Sequence, residues 1–221
     1  MSEPIRVLHI VTTMNRGGLE TMIMNYYRNI DRSKVQFDFL VHRNQESDYD
    51  QEILSLGGKI YRISHLNPFS FKYRKELKQF FKNHSEYKIV HCHLDCMSSI
   101  PLSYAKKAGI GVRIAHSHNA NQEHNLKYVL KWYYKKKIQK YATILFACSK
   151  KAGKWMFEDH DFQILNNAID AKKFSYNESL RVEMRKKLNL EDNFVIGHVG
   201  RFNAQKNHGF IIEVFSELIK I

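Results

Sequence analysis

The stretch from Arg6 to Tyr27 constrains the fold of this chain more than any other. It opens with an apolar run, Val7 to Val11, continues through a polar loop that contains Gly17 and Gly18, and ends in a segment of helical periodicity. Apolar residues in that segment recur at i, i+3, i+4, i+7 and i+8, which is one stripe of period 3.6. A buried strand that feeds a helix through a glycine turn is the first unit of a doubly wound α/β fold.

The same alternation of apolar runs and amphipathic segments continues along the chain. Further strands are predicted at 37–41, 59–63, 88–93, 112–116, 143–148 and 162–165, with helices at 49–56, 71–83, 98–108, 126–141 and 150–158. Short links between these elements predict a mostly parallel sheet that is covered by helices. A linker is predicted at 166–175, and a helix, a strand at 194–199 and a further helix then begin a second unit.

Composition limits the classes of partner. The chain has 35 basic and 22 acidic residues, a formal charge of +13, which favours nucleic acid, an acidic membrane surface or a phosphorylated ligand. It contains no apolar run long enough to cross a bilayer, and its N-terminus lacks the features of a signal peptide. Three cysteines, an odd number, favour a reducing cytoplasm over a disulfide framework.

Gly17 and Gly18 lie where the first predicted strand gives way to the first helix. Ligands of doubly wound folds bind at the carboxyl ends of the strands, and glycine lets backbone N–H groups approach a phosphate or a sugar closely. The alternative is that the two glycines merely form the turn. The loop does not match GxGxxG, so the dinucleotide-binding fingerprint is absent.

Histidines cluster at the ends of two neighbouring predicted strands. His91 and His93 end one strand, and His116 and His118 end the next. Residues at i and i+2 of a strand share a face, so these pairs are expected to converge. Three interpretations remain open: a substrate-binding site, a zinc site that would add a nearby Cys or Asp, and hydrogen-bonded structural histidines. Neither CxxC nor HExxH spacing supports the zinc site, and no GxSxG motif indicates a serine nucleophile.

Five short motifs follow one another along the chain: GGLE at 17–20, VHCH at 90–93, AHSHN at 115–119, NNAIDAKKF at 166–174 and VGRFNAQKNH at 199–208. Their order resembles that of the retaining glycosyltransferases of family GT4, which have the GT-B fold, and in particular the bacterial exopolysaccharide and capsule enzymes. The last two motifs are the most specific. Asn167 departs from the pattern, because the family usually has glycine there.

The resemblance implies two Rossmann-like domains, here 1–168 on the acceptor side and 169–221 as the start of the donor domain. By this resemblance His118 is the catalytic candidate, and Gly17, Gly18 and Asn119 face the cleft and the acceptor. Arg201 and Lys206 would bind the diphosphate of a UDP- or GDP-linked sugar, because guanidinium and ammonium groups stabilise a leaving diphosphate. The resemblance implies no metal and no cofactor besides the nucleotide-sugar substrate, and a glycan or lipid-linked acceptor.

The family's downstream E-x7-E motif has no counterpart in this chain, so we expect an incomplete donor domain and impaired activity of the chain alone. Two alternatives follow. The chain is a non-catalytic, acceptor-binding subunit that needs a second chain for the donor site, or it is a basic nucleic-acid-binding protein. Two observations count against the nucleic-acid alternative. The aromatic residues follow the periodicity of a core, and the sequence contains no recognition motif.

The predicted helix from Leu126 to Tyr141 combines lysines with Trp132, Tyr133 and Tyr134. Such a helix suits an anionic membrane surface, with aromatic rings at the level of the headgroups and lysines on the phosphates. It is equally compatible with a surface helix whose apolar side faces the sheet. We expect a cytoplasmic protein, and the helix leaves open the alternative that it also binds the inner face of the membrane peripherally.

Overall fold

The computed structural model describes residues 3–120 and 128–220, and the chain divides into two compact units, Met1–Asp170 and Ala171–Ile221. The described strands of the first unit are β1 (Ile5–Val11), β2 (Val35–Val41), β3 (Ile60–Arg62), β4 (Ile89–Cys92), β5 (Val112–Ser117), β6 (Ile144–Ala147) and β7 (Gln163–Ile164). Its α-helices are α1 (Gly18–Asn29), α2 (Asp50–Ser55), α3 (Phe71–Asn83), α4 (Ser99–Lys107), α5 (Tyr128–Lys135), α6 (Ile138–Tyr141) and α7 (Lys150–Phe157).

The described strands form one parallel sheet in the order β3-β2-β1-β4-β5-β6-β7. This arrangement confirms the predicted doubly wound α/β fold. The strand order reverses between β1 and β4, and the crevice outside the carboxyl ends of the strands at such a point is where ligands bind in this fold.

Alternating side chains of the central strands contribute to two core clusters. Leu8, Ile10 and Leu40 belong to the larger cluster, which includes buried residues of α3, α4 and α7. Val11, Phe39 and Val41 belong to the smaller cluster, which includes buried residues of α1 and α2. Because successive side chains of a strand point to opposite faces, these near-continuous apolar runs are what a sheet covered on both faces requires.

Several helix ends follow the signals in the sequence. The Ser70 hydroxyl accepts a hydrogen bond from the Tyr73 backbone N–H at the start of α3, and Ser149 does the same for Ala152 at the start of α7. Gly57 and Gly109 follow α2 and α4 with φ of 87° and 80°, a left-handed conformation that glycine adopts at no steric cost.

The predicted single helix from Leu126 to Tyr141 was wrong. Over its described part the chain forms α5 and α6, separated at Lys136 and Lys137, where the N–H of Lys137 bonds the carbonyl of Tyr134, three residues earlier. This tightened turn directs Ile138 into the core, where it is fully buried. Leu126 and Lys127 lie outside the described residues.

In the second unit the structure has α8 (Glu178–Lys187), a 3₁₀ turn (Ala204–Lys206) and α9 (His208–Leu218), but the predicted strand at 194–199 was wrong. A strand needs hydrogen-bonded neighbours, and within the described residues none pairs with this segment. Phe194 and Val199 are accordingly 91% and 98% exposed.

Candidate functional site

Five histidines lie together on one face of the sheet, at the carboxyl side of β1, β4 and β5. His9 of β1 is in register with His91 of β4. Nε2 of His91 lies 3.1 Å from Nδ1 of His116, and Nδ1 of His93 lies 2.9 Å from Nε2 of His118. The convergence expected from the i, i+2 spacing is therefore present in the structure.

His9 belongs to this cluster, although the sequence analysis did not single it out. Its Nδ1 lies 3.0 Å from Nε2 of His93, and its ring stacks on Phe39 at 5.5 Å between centroids. A lone histidine inside the apolar run VLHIV gives no functional signal by itself. The available clue was its spacing of two residues from Val7 and from Val11, which places the imidazole on the same inward face of the strand as these valines.

Burial keeps these imidazoles neutral. Loss of solvation lowers the pKa of His9 to about 3, that of His116 to about 2 and that of His118 to about 4. The pKa values of His91 and His93 are lowered well below the usual value by burial and, secondarily, by the neighbouring histidines. At neutral pH each ring therefore has one N–H donor and one lone-pair acceptor.

The ring-to-ring contacts along His9–His93–His118 can run in either direction, and the surroundings of His9 favour one of them. His9 Nε2 is buried without a partner among the described atoms. An unpaired buried acceptor is tolerated more often than an unpaired buried N–H. The favoured arrangement therefore has His9 Nδ1–H donating to His93 and His93 Nδ1–H donating to His118. Because Nε2 of His118 then accepts, its Nδ1 is left with the proton and is a hydrogen-bond donor.

Asp95 holds the loop that contains His118. The side-chain amide of Asn119 donates to Asp95 Oδ2 at 2.6 Å, and the His118 backbone N–H also bonds this carboxylate. Burial raises the pKa of Asp95, and its Oδ1 is buried without a described partner. Its φ of 47° is left-handed, a strain that non-glycine residues retain mostly at functional sites.

A pocket of about 410 Å³ adjoins the cluster at the reversal in strand order. Its lining includes Thr12, Leu19, Arg43, His65, His93 and Asp95. His93 thus links the pocket to His118, while Nη1 of Arg43 lies 2.7 Å from Nδ1 of His65. The pocket combines a cation, imidazoles and a buried carboxyl group, a set of groups that suits a polyhydroxylated or anionic ligand.

Gly17 and Gly18 stand at the start of α1, but their backbone does not require glycine. Gly17 has φ of −138°, which is ordinary extended backbone, and Gly18 is absent from the described positive-φ positions. A Cβ atom added to Gly18 would meet nothing within 4 Å. The explanation that these glycines merely form the turn is therefore weakened, and the open start of α1 remains available to a ligand.

Arg201 and Lys206 lie in one exposed loop of the second unit. The Asn203 side chain accepts the Lys206 backbone N–H, which fixes the 3₁₀ turn. The Lys206 stem packs beside Gly200, where an added Cβ would come within 3.2 Å of Lys206 Cγ. Among the described residues neither Arg201 nor Lys206 forms an ion pair, so both charges are available to an anion.

The histidine cluster also contains two groups with metal-ligand proximity. They are His9, His91 and His93, and His93, His116 and His118, with one ligand nitrogen of each residue within 4.8 Å of the others. Neutral imidazoles are the form that binds metals. No cysteine or carboxylate belongs to either described group, and the short ring-to-ring hydrogen bonds already occupy several lone pairs. The expectation of no metal remains a prediction.

The parallel sheet, its reversal point and the adjoining histidine pocket define a doubly wound α/β domain with a candidate ligand site at the carboxyl ends of its strands. The sequence pattern of Glycosyltransferase Family 4 matches residues 16–173, and the chain belongs to this family. The matched range includes four of the five histidines of the cluster, all but His9, and it ends before Arg201 and Lys206.

Two curated relatives match nearly the whole chain. EpsF of Bacillus subtilis (strain 168), named as a glycosyltransferase, is 36% identical over 96% of this chain, and CapH of Staphylococcus aureus, a capsular polysaccharide biosynthesis glycosyltransferase, is 26% identical over 98%. The chain spans 58% and 59% of their lengths.

Solved structures share the fold. Anabaena Alr3699/HepE in complex with UDP superposes with a TM-score of 0.77 at 14% identity, over 96% of this chain and 57% of its own. A glycosyltransferase from Rickettsia africae gives 0.68 at 14% identity, over 98% and 58%. Among the described residues, the structure has no helix with the length and apolar character that crossing a bilayer requires.

Proposed function

We propose that the chain forms the acceptor side and part of the donor side of a retaining hexosyltransferase. Such an enzyme moves a sugar from a nucleotide-diphosphate sugar to a glycan or lipid-linked acceptor in surface-polysaccharide biosynthesis. The observation that supports this most strongly is the hydrogen-bonded chain His9–His93–His118 at the ligand-binding edge of a family 4 sheet. The relatives EpsF and CapH bear glycosyltransferase names, which supports the same reaction class.

The donor is proposed to be a UDP- or GDP-linked sugar. HepE has been solved with UDP, and with UDP and glucose, which supports a nucleotide donor for a chain of the same fold. Arg201 and Lys206 would bind the diphosphate, the guanidinium by two parallel hydrogen bonds and the ammonium as a point charge. With these two cations on the leaving group, the proposed reaction uses no metal and no cofactor.

His118 is the proposed catalytic residue. Its neutral ring, with the proton on Nδ1, suits it to donate a hydrogen bond to a sugar hydroxyl in the transition state. His93 and His9 are positioning residues, because they act through His118. Gly17 and Gly18 would let the acceptor approach the start of α1, while Asn119 supports the His118 loop through Asp95.

Cytoplasmic action at the inner face of the membrane is part of the proposal. The surface of α5 exposes Trp132, Tyr133 and Val129, the last at 71%. Exposed aromatic residues among lysines favour anionic headgroups, where a lipid-linked acceptor would reside.

A transfer assay tests the proposal. Membranes from cells that express the chain are incubated with labelled UDP-glucose and with a labelled GDP-hexose. We expect label in the lipid or glycan fraction, reduced about 100-fold by His118→Ala, the usual cost of removing one transition-state donor. The matched control is His160→Ala, which changes an exposed histidine of the same unit.

The alternative function is an acceptor-binding subunit that requires a second chain for the donor site. The share of the relatives' length that the chain spans, 58%, is the observation that favours it. Transfer by the chain alone would exclude this alternative. Transfer that appears only when a second polypeptide is added, and still depends on His118, would support it.

A further inference from the structure

A second pocket of the first unit lies between α3, α4 and α5 and has a volume of about 250 Å³. We call it the tyrosine–lysine pocket. Its lining includes Arg74, Ser99, Tyr104, Lys107, Tyr134 and Lys137. None of the described lining residues is acidic. The pocket is therefore a concentration of positive charge with aromatic walls, separate from the histidine cluster.

The cations of this pocket are held in place without being neutralised. Arg74 Nε donates to the Pro68 carbonyl at 2.9 Å. The Lys137 ammonium lies 3.8 Å from the Tyr133 ring centroid and donates to the Tyr133 hydroxyl, and the Lys107 ammonium lies 5.3 Å from the Tyr104 ring centroid. Aromatic faces attract such cations without cancelling their charge.

Neighbouring lysines behave differently. Lys135 and Lys136 both form ion pairs with Glu158, at 3.2 and 2.6 Å. Lys107 and Lys137 form no ion pair with any described residue, and neither does Arg74. Glu158 is thus bound to lysines other than those that line the pocket.

Ser99 provides an independent indication of a ligand. The residue is 1% exposed and lines the pocket, yet its Oγ has no hydrogen-bond partner among the described atoms. Leaving a buried hydroxyl unpaired is unfavourable, because the group has lost its hydrogen bonds to water. A ligand oxygen in the pocket would remove this cost.

We propose that the tyrosine–lysine pocket binds a phosphate group, as a phosphate monoester or a diphosphate. A guanidinium, two ammonium groups and a serine hydroxyl are donors that match phosphate oxygens. The volume of about 250 Å³ accommodates a phosphate or a diphosphate. The phosphate belongs either to a lipid headgroup, for which the exposed aromatic surface of α5 is suited, or to a free phosphorylated compound. The pocket is in the first unit, so the inference is independent of Arg201 and Lys206.

The test compares Lys107→Ala/Lys137→Ala with Lys150→Ala/Lys151→Ala, which removes the same charge from exposed positions of α7. Both pairs are placed in an Arg201→Ala/Lys206→Ala background, so that the proposed donor loop contributes no phosphate binding. Circular dichroism verifies folding, and Ser99→Ala provides a second variant of the pocket. One arm titrates inorganic pyrophosphate by calorimetry, and the other measures sedimentation with vesicles of phosphatidylglycerol and phosphatidylcholine.

The pocket variant is expected to lose affinity about tenfold or more in at least one arm, because it lacks two charge-assisted hydrogen-bond donors, while the α7 variant stays near the parent. If the pocket variant loses vesicle binding, and pyrophosphate inhibits vesicle binding by the parent, the phosphate belongs to a lipid. If the variant loses only pyrophosphate binding, the phosphate belongs to a free compound. Equal losses in the two lysine variants, or no binding in either arm, would overturn the inference.

Discussion

Nδ1 of His93 lies 2.9 Å from Nε2 of His118, and this contact joins the loops that follow two neighbouring strands of the sheet. Both rings are neutral and His93 also contacts His9, so the unpaired Nε2 of His9 favours the direction of donation that leaves the proton of His118 on Nδ1. A buried chain of imidazoles thus presents one donor at the edge of the sheet.

The first prediction concerns the tautomers. We expect His118, His93 and His9 all to be protonated at Nδ1 in solution at pH 7.5. Long-range ¹H–¹⁵N correlation spectra of histidine-labelled protein distinguish the two ring nitrogens. His118 protonated at Nε2 would contradict the derived direction of the chain.

Replacement of His9 extends this test. In His9→Phe the first donor of the chain is removed, so we expect His93 and His118 to populate both tautomers. The exposed His160 is the internal reference, and its spectrum should not change.

The second prediction concerns stability and pH. The folded-state pKa values of the buried histidines lie below the unfolded value of about 6.5, so the unfolded state binds more protons below that pH. The stabilising contribution of the neutral histidines should be fully present above about pH 7. The free energy of unfolding should then fall with acidification, by about 1 kcal/mol for each fully buried histidine between pH 7.5 and 5.5. Urea unfolding at the two pH values measures this, and equal unfolding free energies would refute it.

The third prediction concerns Asp95. Asp95→Ala removes the acceptor of the Asn119 amide and of the His118 backbone N–H, so we expect a loss of about 1–3 kcal/mol in the free energy of unfolding. Asp161→Ala, at an exposed position, is the matched control and should change stability by less than about 0.5 kcal/mol. Similar values for the two variants would show that the carboxylate does not hold the loop.

The fourth prediction compares two glycines. An added Cβ meets nothing within 4 Å at either Gly18 or Gly109, but only Gly109 has a positive φ, of 80°. Gly18→Ala should therefore leave stability unchanged or raise it by up to about 1 kcal/mol, whereas Gly109→Ala should lower it by about 1–2 kcal/mol. Thermal unfolding of both variants measures these two stability changes. A destabilised Gly18→Ala would restore the explanation that this glycine forms the turn.

Periodicity was sufficient to predict the sheet. The runs at Val7 to Val11 and at 37–41 have the near-continuous apolar character of strands buried on both faces, and both are strands of the sheet. The i, i+2 spacing likewise predicted that His91 and His93 would meet His116 and His118. Such signals are local, so one sequence is enough to find them.

The missed features depend on contacts between distant segments. His9 joins the cluster through His93, 84 positions along the chain. Asp95 gained its role from a left-handed backbone and from its contact with Asn119, 24 positions along the chain, and the sequence displays neither feature. The break at Lys136 and Lys137 has no glycine or proline to mark it, and the 194–199 segment has strand composition but no paired neighbour in the described part of the second unit.

The most direct test of the central claim is calorimetric titration of the chain with UDP and GDP. The account predicts saturable binding of one nucleotide, which Arg201→Ala abolishes and the matched control Arg181→Ala, at an exposed position of α8, preserves. Absence of binding in a chain that circular dichroism shows to be folded would contradict the proposed donor role of the Arg201–Lys206 loop and leave this polypeptide as an acceptor-binding part alone.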